Sequence, residues 1–222
     1  MALDIYFIRH AQSEGNLGLK TPSHRDILLS EQGHRQALEL AAAINEPPSI
    51  IAVSGFVRTQ LTAEPLRQRY PQVPVDILGT HEFDYLYASK WDGTTSLQRK
   101  PAVEQYWQRA DPYYRDSETS ETFADLIDRA ESTLHWLSQH QIGPVCLVSH
   151  ELFIHAVLWR CLAPSTKDAV DQMRAFRQWQ QATPIFNASI TPVRVENGRY
   201  VIPSHFTHDV ELPSGFSSIA EP

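Results

Sequence analysis

Hydrophobic positions along the chain fall into short β-rich runs and stripes of helical period, and the two kinds of segment take turns. Residues 4–8, DIYFI, form a strand that ends abruptly in the polar string RHAQSEGN. Ser30 then caps a helix predicted over 31–45, with Ala37, Leu40, Ala41 and Ile44 at spacings of three and four, and Pro47-Pro48 stops it. Ile50 to Val53 is a second strand, followed by a helical stretch over 57–70 that Pro65 is expected to kink or break. A third strand covers 73–78. A helix over 125–137 carries Leu126, Ala130, Thr133, Leu134 and Leu137 on one face, and a fourth strand, Val145 to Val148, runs straight into a helix over 152–162. Asn197-Gly198, between 190–195 and 200–202, marks a terminal hairpin. Strands alternating with helices predict an α/β fold, a mainly parallel central sheet covered by helices on both faces.

One segment departs from this rhythm. Residues 81–116 hold Phe83, Tyr85, Tyr87, Trp91, Tyr106, Trp107, Tyr113 and Tyr114, 8 of the 22 aromatics in 222 residues. Such an excursion predicts a cap inserted into a single domain spanning 1–222. Most of these rings are expected to pack a small core of the cap's own; the alternative is that some face a substrate.

Composition narrows the function. With 19 Lys and Arg against 26 Asp and Glu, the net charge is −7 and both halves of the chain are acidic. Nucleic acids and anionic membranes bind cationic surfaces through counterion release, so neither is an expected partner. The longest apolar runs are strand-sized, far short of the ~20 residues that cross a bilayer. Asp4 and Arg9-His10 interrupt any secretory pattern at the N-terminus. The two cysteines, Cys146 and Cys161, read as buried thiols rather than a bridge, which fits a reducing, cytoplasmic compartment. Asp116, Glu118, Glu121, Asp125, Asp128 and Glu131 gather much of the acid and are expected to enter the long helix, whose dipole favours the early ones.

Open parallel sheets bind ligands beyond the carboxyl ends of their strands. Arg9-His10 follow the first strand, Ser54 to Arg58 the second, Glu82 the third and Ser149-His150 the fourth. Two histidines, two arginines and a carboxylate converging on one crevice suit a phosphoryl group: guanidinium forks match its oxygens, helix N-termini add N–H donors, and an imidazole can attack phosphorus. Lys20, His24 and Arg25 form a loop cluster, read as solvated or as meeting a second anionic group.

At these residues the chain resembles the histidine phosphatase superfamily, which includes the cofactor-dependent phosphoglycerate mutases. Arg9-His10-Ala11 is similar to its Arg-His-Gly signature, and Asn16 stands at a later phosphate-contact position. LSEQGHRQA, residues 29–37, resembles the family's first helix through Gly33 and Gln36-Ala37. GFVRTQLTAEPL, residues 55–66, supplies the second arginine as Arg58, and HEF, residues 81–83, with Trp91-Asp92-Gly93 is similar to the acid-bearing stretch. VSHELFIHAVL, residues 148–158, resembles the second-histidine motif, and NASI with HDVEL, residues 208–212, the C-terminal end.

The resemblance implies a metal-independent, cofactor-free phosphatase for a small phosphorylated molecule. His10 would attack phosphorus through Nε2 and form a phosphohistidine; Arg9, Arg58, Asn16, His150 if protonated, and the Glu151 amide would hold the phosphoryl oxygens. Glu82 would protonate the leaving alkoxide and then take a proton from the attacking water, with Asp84, two residues on, as the alternative acid. Three positions depart from the family pattern: Ala11 for glycine, Gly55 for proline, and Glu151 where glycine is common. The Glu151 carboxylate would crowd or repel phosphate unless it points away from the crevice.

Two other functions stay open. Mutases of the family carry a longer, arginine-rich insertion, whereas 68 residues separate Glu82 from His150 and the cap's cations are Lys90, Arg99, Lys100, Arg109 and Arg115. This favours water as the acceptor over mutase transfer. The other is a non-catalytic phosphate-binding protein, prompted by Glu151. A zinc-protease reading of HELFIH fails because its histidines are five apart, about 140° around a helix instead of about 40°. His205 and His208 are three apart, but their segment reads as an extended tail rather than a helix, and the sequence offers no evident third ligand.

Overall fold

Side chains that alternate along a strand part to opposite faces of a sheet, and here each face finds its own cover. The computed structural model describes residues 2–21, 23–140, 142–162 and 168–202. Among them, β1 (Ala2–Arg9), β2 (Ile50–Ser54), β3 (Val75–Leu78), β4 (Val145–Ser149), β5 (Ile190–Glu196) and β6 (Arg199–Val201) form one sheet, ordered β3-β2-β4-β1-β5-β6. The four strands from β3 to β1 are parallel; β5 lies antiparallel to β1 and β6 to β5, so the terminal hairpin extends the same sheet and makes it mixed.

Helices α1 (Glu31–Ala43) and α2 (Val57–Arg69) cover one face, setting Leu40, Ala41, Ala63 and Leu66 against Ile8, Ile51, Val53, Cys146 and Val148. In the cap run α3 (Ala88–Trp91) and α4 (Ser96–Arg109). The opposite face is covered by α5 (Phe123–Ser138), α6 (Glu151–Leu162) and α7 (Ala169–Ala182), with Leu126, Phe153, Met173 and Phe176 over Leu3, Ile5, Phe7, Val145 and Leu147. Every position of β2 and β4 is buried, as covering on both faces requires. None of the helices among the described residues is long and apolar enough to cross a membrane.

Several expectations change. Helix α2 runs through Pro65 without a break. Helix α5 starts at Phe123, where Thr122 and Asp125 form a reciprocal capping box, so Asp116, Glu118 and Glu121 precede the helix instead of entering it. Phe83, Tyr85, Tyr106, Trp107 and Tyr114 pack on one another as expected, but this group is continuous with the main core instead of forming a separate one. Tyr106 and Trp107 belong to the same apolar cluster as Phe123 and Phe176; Trp107 stacks on Phe176 with centroids 6.1 Å and planes 25° apart and meets Phe123 edge-on at 6.3 Å. The partner face comes from Phe123 of α5 and Phe176 of α7; α7 was not predicted, because its buried side chains reduce to Met173, Phe176 and Gln180 in a polar-rich helix. His205, His208 and the 208–212 motif lie outside the described residues.

Gly33 shows why the first helix has its sequence. A Cβ at this position would sit 1.9 Å from the Gln12 carbonyl oxygen, in the loop that follows His10. The same loop is fastened by Gln36, whose Oε1 accepts from the Gln12 amide at 2.8 Å, and by Ser30, whose amide and hydroxyl donate to the Gln12 carbonyl at 3.0 and 3.3 Å. Gly33→Ala is therefore expected to push loop and helix apart and to cost about 1–3 kcal/mol, as overpacking does. Thermal unfolding reads this as a fall of several degrees, and an unchanged midpoint would contradict the close approach.

Candidate active site

Parallel register brings the chemistry together. Arg9 pairs with Ser149, Ile8 with Val148, and Val53 with Val148, so β1, β2 and β4 end side by side and release Arg9-His10, Ser54 and His150 at one edge. Helix α2 starts just beyond β2 and returns Arg58 to that edge; α6 starts directly after His150, whose carbonyl accepts from the Ile154 amide at 2.9 Å.

His10 is held in one protonation state by its neighbours. Its Nδ1 lies 2.8 Å from the Ala11 carbonyl, which can only accept, so Nδ1 carries the proton. Arg58 Nε donates to the other ring nitrogen, Nε2, at 3.2 Å, so Nε2 presents a lone pair. Burial, then the charges of Arg58 and Arg9, hold the imidazole well below its ordinary pKa. His150 is fully buried 5.1 Å from the His10 ring and is depressed in the same way by burial, Arg58 and His10, so both rings are neutral in the free protein. The positive charge considered for His150 is thus absent before a ligand arrives. Its Nε2 meets Ser54 Oγ at 2.8 Å, while its Nδ1 is buried without a partner.

Arg58 is buried, donates to the His24 carbonyl at 2.8 Å and packs on Phe56 at 4.9 Å. Arg9 Nη1 donates to the Ile185 carbonyl at 2.5 Å and pairs with Glu151 Oε2 at 2.9 Å. The other Glu151 oxygen accepts from Gln180 Nε2 at 3.1 Å, so this carboxylate is tied to Arg9 and α7, which answers the expected repulsion. Asn16 Oδ1 accepts from the Ser13 amide and hydroxyl at 3.0 and 2.8 Å and from Asn187 Nδ2 at 3.3 Å, which leaves its own Nδ2 to donate outward.

Glu82 sits against the start of α6. Its Oε1 accepts from the amides of Phe83 at 3.0 Å and Leu152 at 3.2 Å, and Oε2 is left to carry a proton. Burial pushes its pKa up, partly offset by the Phe83 hydrogen bond and by Arg58. Asp84 makes no hydrogen bond or ion pair to these groups among the described residues: its backbone is engaged by Glu121, and the residue lines a cavity of about 470 Å³ with His24, Arg25, Phe56, Leu78 and His81. Phe56 is the wall shared by that cavity and the cluster, its ring 5.2 Å from the His150 ring. Lys20 and Arg25 are exposed, whereas His24 packs edge-on against Phe56 at 5.3 Å.

Four contributors had no assigned role in the sequence. Ser54 binds His150; Thr62 Oγ1 accepts from the Ala11 amide at 2.9 Å; Asn187 donates to the His10 carbonyl at 2.9 Å; Gln36 holds Gln12. Ser54 carried a signal in its place at the end of a buried strand, and Gln36, Thr62 and Asn187 stand within the quoted motifs LSEQGHRQA, GFVRTQLTAEPL and NASI without a role of their own. Among the described residues no group of three or more His, Cys, Asp or Glu is arranged to hold a metal ion. His155 points its ring nitrogens at the carbonyls of Glu151 and Thr183, away from His150.

Solved structures share this fold. A phosphoserine phosphatase mutant from Entamoeba histolytica, in complex with phosphoserine, is 21% identical with a TM-score of 0.70 over 91% of this chain and 95% of its own. The alpha-ribazole phosphatase from Shigella flexneri is 16% identical with a TM-score of 0.70 over 90% and 94%. A mycobacterial glucosyl-3-phosphoglycerate phosphatase is 22% identical with a TM-score of 0.67 over 91% and 97%. No curated protein sequence matches the chain. The family pattern of branch 1 of the histidine phosphatases matches residues 5–206, and with paired histidines and arginines at the ends of its parallel strands the chain belongs to the histidine phosphatase superfamily.

Proposed function

We propose that this protein is a metal-independent phosphomonoesterase of the cytoplasm that hydrolyses a small phosphorylated metabolite through a phosphohistidine on His10. The observation that carries this reading is the tautomer of His10: Nδ1–H fixed on the Ala11 carbonyl and a lone pair on Nε2. Arg58 covers that lone pair until phosphate arrives and draws the guanidinium onto its own oxygens. Arg9, Arg58, Asn16 Nδ2 and the Glu151 amide then hold the phosphoryl group. If the Ser54 hydroxyl donates to His150 Nε2, the imidazole proton moves to Nδ1, the unpartnered nitrogen, as a further donor.

In the first step Nε2 bonds to phosphorus, the ester P–O bond breaks, and Glu82 gives its proton to the leaving oxygen. In the second, water attacks the phosphohistidine, Glu82 takes its proton, and the N–P bond breaks to release phosphate. Glu82 suits both roles because burial favours its protonated form and Oε1 is already anchored. The alcohol portion fits the neighbouring cavity behind Phe56.

Water is favoured over a glycerate acceptor because the cap's cations have partners within the cap or on α5. Lys90 packs on Trp91, Arg109 on Tyr114, Arg99 bonds Thr94, Lys100 pairs with Glu104, and Arg115 with Asp125. Anchoring of Glu151 speaks against the purely binding alternative. The free thiols of Cys146 and Cys161 support a reducing compartment.

His10→Ala should lower EDTA-insensitive hydrolysis of an aryl phosphate by at least ~10³-fold, the scale of nucleophile loss in covalent mechanisms. Equal rates would remove His10 from the nucleophile's role; incubation with 3-phosphoglycerate and a bisphosphoglycerate primer would favour the mutase if isomerisation outran phosphate release. The structural relatives nominate phosphoserine, alpha-ribazole 5′-phosphate and glucosyl-3-phosphoglycerate for the substrate panel.

The pH profile checks the acid. Glu82 must be protonated in the first step, so kcat/KM should fall as pH rises through its elevated pKa. Glu151 is one of the charges raising that pKa, so Glu151→Gln should move this alkaline limb to lower pH. A limb that stays put, or moves up, contradicts the assignment.

A further inference from the structure

Glu82 stands on residues 79–84, a segment that belongs to no strand or helix. An untethered loop would let the carboxyl wander by more than a proton transfer tolerates. Here the backbone on both sides of Glu82 is fastened. Arg129 Nη1, from α5, donates to the carbonyls of Gly79 at 2.6 Å and His81 at 3.0 Å; Ser149 Oγ donates to the Thr80 carbonyl at 2.6 Å. Beyond Glu82, the Asp84 amide donates to Glu121 Oε2 at 3.1 Å and the Glu121 amide to the Asp84 carbonyl at 2.8 Å.

The two halves of this fastening are themselves joined. Arg129 grips Glu121 with both edges of its fork, Nε to Oε1 at 2.6 Å and Nη2 to Oε2 at 2.8 Å. Both side chains are mostly buried, at 18% and 15% exposure. The guanidinium also lies 4.7 Å over the ring of Phe153, next to Leu152, whose amide anchors Glu82 itself. Burial alone would raise the Glu121 carboxyl, but hydrogen bonds from His81 and Arg129, and the Arg129 charge, bring it down to about 2, so the pair stays ionised. A buried ion pair contributes little net stability against its desolvation; what it supplies is a fixed geometry.

We propose that Arg129 and Glu121 are positioning residues for Glu82, a clasp that holds the acid-bearing segment where its carboxyl can protonate the leaving oxygen. This rests on the reading of Glu82 as the general acid, and the test separates the two. A nitrophenolate leaves with little protonic help, whereas an alkoxide needs the acid. Values of kcat/KM, which report the phosphorylation step and not the hydrolysis of the phosphohistidine common to both esters, are therefore compared for a nitrophenyl phosphate and an alkyl phosphate in Arg129→Met, Arg129→Lys, Glu121→Gln and Glu82→Gln. Arg129→Met and Glu121→Gln should lose about 10²-fold on the alkyl ester, the scale of a misplaced catalytic group, and less than about 10-fold on the nitrophenyl ester.

Glu82→Gln should show the same split, and Arg129→Lys, which keeps the charge without the fork, should stay impaired on the alkyl ester. Equal losses on both esters in the clasp variants, with the split intact in Glu82→Gln, overturn the clasp and leave the acid standing. No split in Glu82→Gln overturns the acid assignment and the clasp with it. Thermal unfolding identifies variants that fail to fold. Should Arg129→Met be one, Glu121→Gln, an isostere, decides the outcome.

Discussion

A guanidinium withheld from water is the constraint on which the site depends. Arg58 is 3% exposed, and among the described residues no carboxylate lies within ion-pair distance of it. An isolated buried charge is unfavourable by several kcal/mol, and its surroundings must answer for it. The answer is indirect: a backbone carbonyl from His24, an aromatic face from Phe56, and a lone pair from His10. That lone pair exists only on a neutral imidazole, and burial first, then the charges of Arg58 and Arg9, keep the ring in that state. His150 is held neutral chiefly by its own burial, with Arg58 and His10 adding to it. The cluster is electrostatically incomplete, and under the proposed function a phosphoryl dianion would complete it.

The fold delivers this arrangement through strand register and helix starts. Three parallel strands end level, so their successors meet without long loops, and the first turn of α6 adds an amide that Glu82 occupies. The pieces nearest the chemistry are fixed mainly through backbone groups: Ala11 by Thr62, Gln12 by Gln36 and Ser30, His10 by Asn187. Short polar side chains do this work, and charged ones fasten Arg9 and the segment that bears Glu82.

Where apolar spacing governed, the sequence was legible. β1, β2, β4 and α1 follow from runs and stripes that no other structure satisfies, and Ser30 caps α1 as its side chain suggests. His10, Arg58, His150 and Glu82 could be singled out because they follow strands, though only the resemblance gave them roles. What resisted reading depended on distant partners. Ser54 and Asn187 stood in quoted segments, but their roles became visible only with His150 and the His10 carbonyl placed beside them. Glu151 looked like an obstacle because neither Arg9 nor Gln180 is near it in sequence. The cap's rings looked self-sufficient because the narrow stripe of α7 gave no sign of a partner face.

That shared packing makes the cap a structural wall as much as a covering. Swinging it outward as a rigid body would pull Trp107 off Phe123 and Phe176, and each large ring exposed costs about 1.5–3 kcal/mol. A hinged lid is therefore a poor description of this segment; it behaves as a built-in template whose shape is set when the protein folds. Substitutions along the cavity rim at Arg25, His81 and Asp84 leave this packing untouched, whereas any change at the rings is also a change in stability.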